Sequence, residues 1–152
     1  MEFALSIIFV ILFLIGIFEL LLLIYSYNVI ADAAKEGVRY AVVHGSLNGR
    51  PTGPTSGTTC TAVTCPDIAG PPAPPGTVPG YGSGYGVVKT YAQYSFHDTS
   101  RMNITVTYPD SAPRNQAPNR VQIQVSYRYQ PFFGLGWPTV TLNAAAEGRI
   151  TY

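Results

Sequence analysis

Apolar side chains fill nearly every position from Phe3 to Ala31, and two carboxylates interrupt the pattern, Glu2 at its start and Glu19 near its middle. No proline occurs before Pro51, and Asp32 to Val43 continues with strong helix formers. One long helix is therefore predicted over 1–47, apolar across 3–31 and polar across 32–47. At about 1.5 Å per residue the apolar part extends roughly 43 Å, more than the hydrocarbon core of about 30 Å requires. The polar extension sets Asp32 against Lys35 and Glu36 against Arg39, three residues apart, so opposite charges become surface neighbours. Ala33, Gly37 and Ala41 form a separate stripe of small side chains, where a second backbone is expected to come close during assembly.

Beyond residue 47 the patterning changes. Residues 48–86 are dominated by Gly, Pro, Ser and Thr, as in Gly70-Pro71-Pro72-Ala73-Pro74-Pro75-Gly76, and regular structure is not expected there. The segment reads either as an ordered surface decoration or as a floppy linker. Order returns in 87–152. Val87, Val88, Tyr91 and Tyr94 recur at helical offsets and predict a short amphipathic helix ending near His97. Three alternating runs then predict strands over 103–108, 120–129 and 140–152, with Ile104, Val106 and Tyr108, and Val121, Ile123, Val125, Tyr127 and Tyr129, facing inward. Short links make the sheet antiparallel. Three strands cannot cover their own apolar face, so the short helix and the polar half of the long one must do so. The expected fold is α+β, a single head on a long helical stalk.

Cys60 and Cys65 are the only cysteines, and their spacing closes a small loop. A disulfide is the favoured reading and points to an oxidising compartment. A metal site would need more ligands than two thiols and the distant His44 and His97, so no metal is expected. Net charge is +1 with no Lys/Arg cluster, which gives no support for a nucleic-acid surface. Charged residues make up 11 %, a low share that favours a chain burying much of itself against neighbours.

The two acids call for an account, because an ionisable group in hydrocarbon costs at least a few kcal/mol unless it neutralises or finds a partner. Glu2, at a helix N-terminus, is stabilised by the helix dipole and can pair with the free amine of an adjacent subunit; the simpler alternative is an N-capping acid at a membrane surface. Glu19 can be protonated, can meet Tyr25, Tyr27 or a neighbour's basic residue, or can be hydrogen-bonded within its own helix.

The opening Glu2-Phe3-Ala4-Leu5, then Gly16-Ile17-Phe18-Glu19-Leu20, then Ala34-Lys35-Glu36-Gly37-Val38-Arg39-Tyr40-Ala41-Val42, together with the Val-x-Val-x-Tyr strands, resemble the TadE-like pilins. These are type IV pilin relatives of the tight-adherence systems. The resemblance covers the helix and, more loosely, the sheet; residues 48–86 have no counterpart. It implies a basic leader removed by a prepilin peptidase, a pool held in the inner membrane by the apolar helix, and transfer by pilus assembly machinery into a surface fibre of many copies. It also overrides the positive charges, which all lie at or beyond Lys35 and alone would argue for a cytoplasmic head. Type IV pilins carry their characteristic glutamate at the fifth mature position, whereas here the acid is Glu2, so either mature residues precede Met1 or cleavage differs.

Catalysis finds no support in the sequence. There is no Ser-His-Asp context, no phosphate-cradling loop between strand and helix, and no sign of a cofactor site. Gly80 to Gly86 reads as a turn-rich loop. Asn103-Ile104-Thr105 matches a glycosylation sequon, though inside a predicted strand. The eleven tyrosines suit amphipathic contact in a sheet and at subunit interfaces. A structural pilus subunit serving adhesion is the expected function, and a single-pass envelope protein whose exported binding domain never polymerises is the alternative.

Overall fold

A computed structural model describes residues 2–54, 57–96, 98–133 and 138–151, with side chains for all of these except Glu2, Ala4 and Leu5. His97, Trp137 and Tyr152 therefore lie outside the described residues.

Helix α1 runs from Glu2 to Val43 without a break. It stops four residues short of the expected end because its last carbonyls find other donors. Asn48 Nδ2 donates to the Val43 carbonyl, and Thr151 donates to the Val42 carbonyl from its backbone N–H (3.0 Å) and its hydroxyl (3.2 Å). Helix termini need such partners wherever the chain turns away. Beyond it come β1 (Thr59–Cys60), α2 (Pro66–Ala69), α3 (Val87–Gln93), β2 (Met102–Thr107), β3 (Arg120–Tyr129) and β4 (Val140–Arg149).

The class is α+β, as the periodicity predicts, but the sheet has four strands rather than three, in the order β1-β2-β3-β4 and antiparallel throughout. The additional strand lies in the Gly/Pro/Thr-rich stretch, where Thr59 pairs with Thr107 and Cys60 with Val106. Regular structure is thus present in 48–86, against expectation. Cys60, Cys65, Ile68, Ala69 and Ala73 from this stretch are buried in the head. The Cys60–Cys65 disulfide is formed and ties β1 to the start of α2. The last strand ends at Arg149 rather than at the C-terminus, and Ile150 N–H turns to the Asn119 carbonyl at 2.9 Å.

One face of the sheet is apolar and covered. Ile104, Val106, Val121, Ile123, Val125, Leu142 and Ala144 are buried there, together with Ile30, Ala33, Ala34, Val38 and Ala41 of α1 and Val88 and Ala92 of α3. Two glycines set the closeness of this packing. A Cβ at Gly37 would lie 2.5 Å from Val88 Cγ2 and 2.9 Å from Ile123 Cδ1, and one at Gly148 would lie 2.6 Å from Val38 Cγ1. The opposite face, with Asn103, Gln122, Gln124, Thr141 and Asn143, is polar and exposed.

Candidate functional site

The chemistry-bearing feature of this chain is the first half of α1. From Phe3 to Phe18 almost every described side chain is exposed, Phe3 at 81 %. Within the apolar helix the most hydrophobic eighteen-residue stretch is only 6 % buried, so this is not the core helix of its own head. By length and composition it is long and apolar enough to cross a membrane.

The head first grips the helix at Glu19. Its side chain is only 4 % exposed and its two oxygens have separate donors. The Tyr129 hydroxyl donates to Oε2 at 2.7 Å and the Phe133 backbone N–H to Oε1 at 2.8 Å. Tyr129 ends β3, and Phe133 lies in the turn that follows, so both donors are placed by one strand end. Burial, then the Glu19 carboxylate, push the Tyr129 phenol above its usual range, which keeps it a donor. Leu20, Leu23, Pro131, Pro138 and Val140 line a partly open apolar pocket beside the pair. This answers the question the acid raised. Glu19 is satisfied neither by Tyr25 or Tyr27 nor from within its own helix, and its two donors come from the head of the same chain. Two turns further on, Ser26 Oγ donates to the Leu22 carbonyl at 2.8 Å, so a second polar group on this face is also satisfied.

The stripe of Ala33, Gly37 and Ala41 is fully covered as well, with Ala33 and Ala41 in the core and Gly37 pressed between Val88 and Ile123. The backbone that the small side chains admit belongs to this chain's own sheet and α3, and that corrects the expectation of a second copy at these positions. The polar extension behaves as its spacing predicts. Lys35 Nζ lies 3.0 Å from Asp32, and Arg39 lies 3.7 Å from Glu36, both exposed pairs worth roughly 0–1 kcal/mol. His44 stacks on Tyr40 with ring centroids 4.0 Å apart, a packing role. The Tyr40 hydroxyl also accepts the Tyr81 N–H at 2.8 Å, which holds the turn-rich loop against the end of α1.

Glu2 begins α1, and its side chain is outside the described atoms. Asn103 sits in β2 opposite Ser126, exposed on the polar face. Two contacts escaped the sequence reading altogether. One is the Tyr129–Glu19–Phe133 junction. The other is the clamp in which the Asp110 carboxylate accepts the Arg120 backbone N–H at 2.6 Å and Nη2 at 2.9 Å, with Glu147 3.5 Å from the same guanidinium. Neither has a local signal, since the partners are ten to more than a hundred residues apart.

A membrane-length apolar helix that carries an α+β head on its far half defines a membrane-anchored or surface-exposed protein. The family model for TadE-like protein matches residues 1–39, the exposed rod and most of the head-bearing part of α1. The resemblance carried by the helix motifs is thus supported over the helix, and the match stops before the sheet. No curated protein and no solved structure matches the chain.

Proposed function

We propose that this chain is a pilin-like structural subunit of a Tad-type pilus, without catalytic activity. In this reading α1 holds the precursor in the inner membrane after a prepilin peptidase has removed a leader. Assembly machinery then moves the rod from lipid into a fibre of identical copies, with the head displayed outside and serving adhesion. The observation that carries the reading is the rod itself, exposed at almost every described position from Phe3 to Phe18 and matched, with the rest of residues 1–39, by the TadE-like family model. Burying such a rod among neighbours would contribute on the order of tens of kcal/mol gross, at about 25 cal/mol per Å² of apolar area. Glu2 takes the docking role, its carboxylate pairing with the amine of an adjacent subunit.

One observation favours the second reading, a single-pass envelope protein that does not polymerise. Glu19 and the Ala33–Gly37–Ala41 stripe are both satisfied inside one chain, so neither calls for a neighbour. Fibre growth by the wild-type chain separates the two, and the Glu2→Ala variant tests the docking role. It is expected to insert in the membrane at the wild-type level, judged by resistance to alkaline extraction, yet to grow no fibres. Normal fibres from that variant would remove the docking role.

A further inference from the structure

The exposed aliphatic run of α1 ends at Ile24, and Tyr25, Ser26, Tyr27 and Asn28 follow before the buried Val29 and Ile30. A bilayer spanned by α1 has one boundary at this stretch, because tyrosine rings settle at headgroup level. Phe3 to Ile24 covers roughly 33 Å, close to the thickness of the hydrocarbon core. Glu19 then lies roughly 8 Å inside that boundary.

The head does not stop at the boundary. The Phe133 N–H and the Tyr129 hydroxyl are bonded to Glu19, so the turn after β3 reaches the same depth as the acid. Two of its described side chains are exposed aromatic rings. Phe132 is 79 % accessible and packs edge-on against Phe133, itself 42 % accessible, with ring centroids 5.3 Å apart. Phe132 shares a groove with Tyr25, Ser95 and Phe96, which brings the C-terminal end of α3 to the same level. Tyr94, beside it, is 83 % accessible. On the outer face of this sheet end, Arg128 and Arg101 line one depression; Arg101 lies 3.5 Å from Asp98, whereas Arg128 makes no ion pair among the described residues. Around this end of the head the chain presents exposed phenylalanine rings, tyrosines and a guanidinium. A lipid leaflet presents acyl chain, interface and phosphate.

Resting on the reading that α1 spans a bilayer before assembly, we propose that the turn after β3 is a second membrane contact. Phe132 and Phe133 enter the leaflet on the head's side beside α1, with Arg128 directed to lipid phosphate. The contact keeps lipid away from the Glu19 carboxylate and seats the head flush on the membrane. Leaving the bilayer then requires withdrawal of the turn together with the helix.

The test uses the full chain in vesicles of phosphatidylethanolamine and phosphatidylglycerol that contain phosphatidylcholine brominated close to its headgroup. In a Trp137→Phe background, Phe132→Trp provides the one tryptophan at the turn. Leu47→Trp in the same background provides one on an exposed loop just beyond the far end of α1. The turn reporter is expected to lose most of its emission to the bromines while the loop reporter keeps its own, and Phe133→Trp is expected to follow Phe132→Trp. Unquenched turn reporters in vesicles where alkaline washing shows the chain inserted would overturn the membrane contact and leave the span by α1 standing. A spectral shift of the turn reporters seen only in assembled fibres, with no quenching in vesicles, would assign the rings to a second copy and also overturn it.

Discussion

Glu19 shows how a residue costly in isolation is made tolerable by a partner distant in sequence. A carboxylate within an apolar helix is spacing-visible, and its need for a partner follows from solvation alone. The identity of that partner does not, because Tyr129 lies 110 residues away and meets the acid only through the fold. Removing the phenol hydroxyl with Tyr129→Phe leaves one carboxylate oxygen without its donor and is expected to destabilise the head by about 1–3 kcal/mol. Denaturant titration of the full chain in detergent, read from near-ultraviolet circular dichroism, measures this; an unchanged midpoint would show that the bond contributes nothing. Gly37 makes the opposite point, since its stripe was legible in the sequence while the surface that fills it was not. Gly37→Ala gains up to about 1 kcal/mol of helix propensity. Its methyl, however, would overlap Val88 and Ile123 in an already close-packed layer. Overpacking of that kind costs typically 1–3 kcal/mol, so a lower melting temperature is expected than for the control Gly49→Ala, where nothing lies within 4 Å. A melting temperature equal to that of the control would refute the close contact.

At the scale of elements, what could be read was what repeats. The 42-residue helix follows from a long apolar run without proline, and the strands β2 and β3 emerge from period 2, within one or two residues on most ends. Strand β1 could not, because two residues carry no periodicity and Thr59 and Cys60 are a strand only by virtue of their partners on β2. The connection from β2 to β3 is likewise held by a distant pair. Hydrogen bonds from Arg120 hold the Asp110 carboxyl below the usual carboxylate range. A folded-state pKa depressed in this way stabilises the head above the unfolded value of about 4 and is lost as pH falls through the lower folded value. Wild-type stability should therefore decline on acidification below about pH 4, with Asp110→Asn less stable at neutral pH and flatter across that window. Parallel pH profiles for the two proteins would exclude the clamp as a source of acid sensitivity.

At the scale of the whole molecule, one helix serves two environments. Its far half is the floor of the head, filled by Ile30, Ala34, Val38 and Ala41 under the sheet, and its near half has almost no cover among the described residues. Composition and run length made that division legible, since a low share of charge and an unbroken apolar stretch require something outside the chain to cover the rod. The covering partner is the central claim, and microscopy of fibres sheared from cells, with mass spectrometry of their protein, tests it most directly. Filaments in which this chain is a stoichiometric component are expected; recovery of the chain only from washed membranes, with none in sheared fibres, would rule out other copies as the cover of the rod.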